Sequence, residues 1–252
     1  MNDETNTPRS HPLVEICVGD LRSALAAGEG GADRVELCDR LEVGGTTPSA
    51  GTIAEACRRL TIPVHVLIRV RAGDFVPNDP EWAAMRDDVD AARRLGASGV
   101  VIGALHRDGT IDRDETARLV ELARPMSVTF HKAFDQTPDL GEALETLIDL
   151  GVDRVLTSGG RPSAEEGADA LASLIAQAGD RIGVIVAGRL SLANLPAVVR
   201  RTAAREVHLG SAAVDAVGSS CTFNPRDGST LDWSGVTAEK VRRIMEVVVT
   251  CR

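Results

Sequence analysis

Eight short apolar segments recur along the 252-residue chain, and their first residues lie roughly 20–35 positions apart. Most of them are nearly continuous runs rich in Val and Ile, which is the pattern of parallel strands that are covered on both faces. The segments are Leu13–Val18, Arg34–Cys38, Val64–Val70, Gly99–Leu105, Ser127–Phe134, Arg154–Thr157, Gly183–Ala187 and Glu206–Leu209.

Helical patterns fill the intervals between these predicted strands. Pro80–Leu95 and Asp139–Leu150 carry apolar residues at i, i+3 and i+4, and each stops at a glycine. A shorter helix is expected from Leu21 to Gly28. Thr237 is the expected N-cap of the last helix, because a threonine hydroxyl can accept a bond from a free N–H of the first turn.

One helix-to-strand connector occurs three times, beginning at Gly31, Gly96 and Gly151. Glycine at this point can take the left-handed conformation that ends a helix. Three copies of one connector are what a repeated βα unit produces. Eight such units in about 250 residues predict an α/β fold, a closed (β/α)8 barrel of the TIM type. An open doubly wound sheet shares the alternation and remains the alternative.

The chain is predicted to form one domain. A flexible N-terminal segment is expected at residues 1–12, followed by the barrel at 13–252, since no Pro-, Gly- or Ser-rich linker divides the sequence. The polar stretch Gly218–Gly235 is expected to be a loop, either on the active face of the barrel or at an oligomer contact.

The composition narrows the classes of partner. A net charge of −9 argues against a general binder of nucleic acid or anionic membranes. No apolar run approaches the ~20 residues that cross a bilayer, and the polar start has no secretory leader. The five cysteines are widely spaced without a CxxC motif, which favours reduced thiols in the cytoplasm.

Two of these cysteines stand next to carboxylates. Glu15 and Cys17 share one face of the first strand, and Glu36 and Cys38 share one face of the second. If both faces point to the barrel axis, the two thiols converge and suit Cu(I), which accepts low-coordinate sulfur ligation. The alternatives are a stagger that separates them, or cysteines that act only as small apolar residues.

Cationic side chains follow the later strands. Arg69 and Arg71 share a face with His65, and Lys132, Arg189 and His208 also belong to this set. Their meeting at one mouth predicts a site for a small anionic ligand. The alternative is a network of structural ion pairs.

A catalytic site is the second functional hypothesis. His131 is the candidate general acid or base, Glu36 its carboxylate partner, and Arg69 a charge-binding residue beside them. The turn Thr157, Ser158, Gly159 and Gly160 offers backbone N–H groups that would seat the anion. A lyase, isomerase or hydrolase acting on an anionic metabolite would fit, and a purely structural oligomer is a third hypothesis.

Six motifs, in order, resemble those of the copper homeostasis protein CutC family. They are Glu15-Ile-Cys-Val, Gly30-Gly-Ala-Asp-Arg-Val-Glu-Leu-Cys38, Gly44-Gly-Thr-Thr-Pro-Ser49, Ile68-Arg-Val-Arg-Ala-Gly-Asp-Phe75, Val128-Thr-Phe-His-Lys-Ala-Phe-Asp135 and Leu156-Thr-Ser-Gly-Gly160.

This resemblance implies a TIM-type barrel, a cytoplasmic location, a homo-oligomer and Cu(I) binding by Cys17 and Cys38. Three departures from the family pattern concern the mouth. Arg69-Val-Arg-Ala-Gly-Asp-Phe75 lacks a proline and a glycine, Lys132 replaces an arginine, and Ala187-Gly-Arg-Leu190 replaces a glycine turn. Arg189 there either supplies side-chain charge or blocks the site.

Overall fold

The computed structural model of the protein describes residues 11–217, 222–224, 229–230 and 233–251. Eight parallel strands pair in sequence order and close into a barrel. Strands β1 to β8 are Leu13–Val18, Arg34–Leu37, Val64–Leu67, Gly99–Ile102, Ser127–Phe130, Arg154–Thr157, Gly183–Val186 and Glu206–Leu209. Within the described residues, helices α1 to α8 are Leu21–Glu29, Ala50–Arg59, Asp79–Arg94, Arg113–Ala123, Leu140–Asp149, Ala168–Ala178, Leu195–Thr202 and Ala238–Val249.

Pairing of β1 with β8 closes the ring, with Glu15 opposite His208. The predicted (β/α)8 barrel is therefore confirmed, and the open doubly wound sheet is excluded. Along β1, the fully buried Val14 and Ile16 belong to the main apolar core, so the intervening Glu15 and Cys17 face the barrel axis. The alternation of side chains along β1 thus places a carboxylate and a thiol inside the barrel.

The three repeated glycines adopt the expected left-handed backbone. Their φ angles are +89° at Gly31, +92° at Gly96 and +71° at Gly151. Each residue ends a helix and turns the chain into the next strand. Thr237 caps α8 as predicted, because its side chain accepts a bond from the Lys240 N–H.

Five strands end earlier than the apolar pattern predicts, β2 and β7 by one residue and three others by three or four residues. β3 ends at Leu67, β4 at Ile102 and β5 at Phe130. Arg69 and Arg71 therefore lie in the segment after β3 and not on a strand face. This difference decides where each guanidinium points.

The segment after β8 is not the plain loop that the sequence predicts. Four short strands, β9 to β12, are formed by Val214–Val217, Thr222–Asn224, Ser229–Thr230 and Trp233–Val236. β9 pairs with β12 and β10 with β11, both antiparallel. Residues 1–10, to which most of the predicted flexible segment belongs, and positions 218–221, 225–228 and 231–232 lie outside the described residues. In the part of the chain that is described, no helix is long and apolar enough to span a membrane.

Candidate functional site

A cavity of about 790 Å³ opens at the carboxyl ends of the strands. This end is where TIM barrels carry their functional sites, because loops from all eight strands meet there. Six of the predicted site residues line the cavity, together with Lys132 and the β12 segment 234–236. The six are Cys17, Glu36, Cys38, Arg69, His131 and His208.

The two thiols of the first strands meet inside this cavity. Register places Cys17 opposite Glu36, and Cys38 follows directly after β2. The sulfur atoms of Cys17 and Cys38 are 3.9 Å apart. One oxygen of Glu36 and both sulfurs lie within 4.8 Å of one another. The predicted convergence of the thiols is thus found, and the stagger does not separate them.

Glu15 and His208 form the layer beneath the thiols. Glu15 is buried, and its Oε1 lies 2.7 Å from Nδ1 of His208. Its other oxygen, Oε2, accepts a 2.5 Å bond from Nε of Arg34. The far ring nitrogen of His208, Nε2, is 3.7 Å from Glu36. Glu15 therefore fixes the ring so that Nε2 faces the cavity groups.

Burial and these contacts set the charge of each group. The hydrogen bond with Cys38, with His208 beside it, lowers the pKa of Cys17 to about 5. The same contact raises the pKa of Cys38 well above its usual range. Burial raises the pKa of Glu36, and the neighbouring Cys17 thiolate adds to this effect. Burial opposes a charge on His208, but its bonds with Cys17 and Glu15 prevail and raise its pKa. Cys17 is thus a thiolate next to an imidazolium.

His131 lies in a different electrostatic environment, on another wall of the same cavity. Its Nδ1 accepts a 3.1 Å bond from the Ala133 N–H, so the proton of the neutral ring is on Nε2. That Nε2 is buried and has no partner within the described residues. Burial, together with the charges of Arg69 and Lys132, lowers the pKa of His131 to about 3. The ring is neutral at physiological pH and packs against Phe75 in a tilted arrangement, with centroids 4.9 Å apart and planes at 51°.

The arginines after β3 divide between two environments. Arg69 lines the cavity, donates to the carbonyls of Val43 and Gly45, and lies 5.0 Å from the Phe75 ring centroid. Arg71 does not line this cavity, which corrects the predicted cluster. It is 39% exposed and pairs with Asp74 and Glu81, because the chain has already left the strand direction.

The turn after β6 already holds a carboxylate. Asp135 accepts bonds from the Thr157 hydroxyl, at 2.5 Å, and from the backbone N–H groups of Ser158 and Gly160, at 3.0 and 2.9 Å. The Gly159 N–H donates instead to the Thr157 hydroxyl. The N–H groups predicted to seat an external anion are therefore occupied, and that prediction is wrong for Thr157–Gly160.

Sequence reasoning missed Arg34 and Glu206 as partners of the site. Arg34 bridges Glu15 and Glu206, with bonds of 2.5 and 2.7 Å. The signal was present, because Arg34 stands two residues before Glu36 and so shares its face of the strand.

The chain matches the sequence model of the CutC family over residues 12–213. It is 49% identical over 234 residues to a family protein CutC of Mesorhizobium japonicum, covering 91% of this chain and 90% of that protein. A crystal structure of CutC from Streptococcus agalactiae is 33% identical, with a TM-score of 0.75 over 79% of this chain and 98% of that one. Phosphoribosyl anthranilate isomerase from Thermococcus kodakaraensis, at 20% identity and a TM-score of 0.57 over 94% of this chain and 98% of that one, shares the fold.

Proposed function

This chain belongs to the CutC family, and we propose that it binds Cu(I) through Cys17 and Cys38 at the mouth of its barrel. The observation that carries the proposal is the 3.9 Å separation of the two sulfur atoms. Thiolates bind metal ions at about 2.3 Å, so two sulfurs at this separation can reach one ion without backbone movement. The name of the Streptococcus agalactiae relative refers to copper homeostasis.

The donor set favours a soft monovalent ion. Thiolates select Cu(I), and Glu36 stands within reach as a weaker third donor. Cys38, whose pKa is raised in the free protein, would release its proton to solvent on binding the ion. Two thiolates around Cu(I) would then carry a net charge of −1, which the His208 imidazolium beside Cys17 offsets. The cation next to the thiols is therefore compatible with metal binding.

The test is a titration with Cu(I) in competition with a chromophoric chelator. Cys17→Ser and Cys38→Ser are each expected to weaken binding by at least about 100-fold, because each removes one of two soft ligands. Cys57→Ser is the matched control, since Cys57 lies on α2 and does not line the cavity. Equal affinities for all four proteins would remove Cu(I) from the function.

A second candidate function is acid–base catalysis on a small anionic metabolite. Its specific support is the ordered contact from Glu15 to His208 to Cys17, in which a carboxylate orients an imidazole next to a thiolate. Glu36, whose pKa is raised by burial, is a second acid–base group in the same cavity. His131, the expected general acid or base, and Arg69, the expected charge-binding residue, would contact the substrate from the opposite wall.

This candidate is tested by NMR in D2O with a panel of phosphorylated and carboxylated metabolites. The wild type is expected to exchange a carbon-bound proton of one of them, and His208→Gln to lose that exchange. A panel without exchange, or a His208→Gln protein with unchanged exchange, speaks against catalysis.

We also propose a cytoplasmic location and a homo-oligomeric state, as the family resemblance implies.

A further inference from the structure

A second cavity, of about 410 Å³, adjoins the first. The two share Lys132, Leu156, His208, Gly210 and Ser211, so a ligand in one can extend into the other. The second cavity lies among the segments that follow β5, β6, β7 and β8. Loops after the last strands of TIM barrels frequently bind phosphate groups.

Besides His208, three cations line this second cavity: Lys132, Arg161 and Arg189. Among the described residues, none of the three has a carboxylate within ion-pair distance, whereas arginines elsewhere on the surface, such as Arg181 and Arg205, are paired. In a protein with a net charge of −9, unpaired cations around one cavity form a local positive potential.

The carboxylate that lines this cavity, Asp135, is already hydrogen-bonded within its own turn. Thr157, Ser158 and Gly160 donate to both of its oxygens. Ser158 contributes its hydroxyl as well, at 3.0 Å. Asp135 forms no ion pair with Lys132, Arg161 or Arg189 in the described part of the chain, so the three cations are left for a ligand.

Arg189 is held in a backbone conformation that arginine disfavours. Its φ is +52°, in the left-handed region that glycine adopts without strain and that residues with a side chain rarely adopt. The preceding Gly188, at φ +108°, has no room for a side chain, because a Cβ there would lie 2.8 Å from Cβ of Ser158. The turn therefore keeps one glycine for packing and carries an arginine where a second glycine would be less strained. Such strain at a cavity wall points to a use for the side chain.

We propose that the second cavity binds the phosphate group of a small metabolite through Arg189, Arg161 and Lys132. Guanidinium groups match the geometry of phosphate oxygens and can bind two of them at once. The rest of the metabolite extends through the shared wall toward Cys17 and His208. This proposal names phosphorylated metabolites as the substrate class of the second candidate function. It rests on that function only for the chemistry at the Cys17 thiol.

The test measures binding of inorganic phosphate to the whole protein by calorimetry and by NMR shifts. Arg189→Gly and Arg161→Gln are each expected to weaken phosphate binding about tenfold, as for the loss of one charge-assisted contact. Arg200→Gln is the matched control, because Arg200 is exposed on α7 and does not line either cavity. Its phosphate affinity is expected to equal that of the wild type.

Thermal unfolding of Arg189→Gly separates binding from a structural role. Relief of the left-handed strain is expected to keep Tm or raise it by about 1–3 °C while phosphate affinity falls. A lower Tm with unchanged phosphate affinity would make Arg189 a structural residue and overturn the proposal. Malonate, a dicarboxylate, is titrated in the same way as a comparison anion. A wild-type protein that binds malonate and not phosphate, or that binds neither anion, also overturns the proposal. The Cu(I) titration is independent of that result.

Discussion

The same residue type takes opposite charge states on two walls of one cavity. His208 contacts Glu15 and Glu36, and its pKa is raised, so it carries a proton. Burial, with the charges of Arg69 and Lys132 beside it, lowers the pKa of His131 to about 3. A cavity with a charged and a neutral imidazole can donate a proton from one wall and a hydrogen bond from the other. Burial and the neighbouring groups, rather than the residue type, assign these tasks.

His131 should make the protein sensitive to acid. The unfolded chain binds a proton on this histidine below a pKa of about 6.5, whereas the folded protein binds it only near 3. In this interval the unfolded state holds more protons, so the free energy of unfolding falls as the pH falls, by up to about 1.4 kcal/mol per pH unit for this group. His131→Gln is expected to lose that part of the slope in urea unfolding between pH 6 and 4. Identical slopes in the two proteins would contradict the assignment.

The sequence predicts the part of the candidate site that lies on strands, because the alternation along a strand sets the direction of each side chain. It does not predict the part that lies in a turn. Cys17 and Cys38 meet because alternate residues of paired strands share one face. The filling of the Thr157–Gly160 turn by Asp135 depends on a short 3-10 helix, Lys132–Gln136, that folds back toward β6. The apolar pattern of the sequence does not indicate the path of this short helix. The turn is therefore predicted from the sequence to bind an external anion, although the Asp135 carboxylate of the same chain occupies it.

At the scale of elements, the apolar pattern reports burial better than it reports strand pairing. Ile68 and Leu105 are buried although β3 ends at Leu67 and β4 at Ile102. Both residues lie just after a strand, where the chain has left the strand direction, and their side chains still belong to the main apolar core. The existence and order of all eight strands follow from the pattern, because each run must be covered on both faces. The strand ends do not, since the Leu105 N–H donates to the Phe75 carbonyl outside the barrel sheet while the Leu105 side chain stays buried.

The helix-to-strand connectors offer a clean test of backbone conformation. A Cβ at Gly96, where φ is +92°, would meet nothing closer than Cβ of Cys57 at 3.7 Å, so Gly96→Ala causes strain without a clash. The expected loss in the free energy of unfolding is about 1 kcal/mol. Gly51→Ala, in the first turn of α2 and open to solvent, is the matched control and should raise stability by up to about 1 kcal/mol. Equal changes in urea unfolding would show that the connector does not need glycine.

At the scale of the whole molecule, a network of buried and partly buried charges joins four strands of the ring. Arg34 on β2 donates to Glu15 on β1 and to Glu206 on β8. Arg154 on β6 also donates to Glu206, at 3.2 Å, and to the Ser127 hydroxyl on β5. The network lies below the thiols, so the Glu15 that orients His208 is also a structural link of the barrel. Function and closure of the ring depend on the same carboxylate.

Arg34→Met should therefore destabilise the whole barrel. It leaves Glu15, whose side chain is 1% exposed, without its closest cation, and breaking such a buried pair costs about 3–5 kcal/mol. Adding Glu15→Gln removes the orphaned charge, so the double variant is expected to lose less stability than the sum of the two single changes. Urea unfolding of the four proteins gives this coupling, and Arg181→Met, which breaks an exposed pair with Glu145, provides the control with a much smaller loss. Additive losses, or an Arg34→Met protein no less stable than the control, would mean that the pairing of backbone strands alone holds the ring closed.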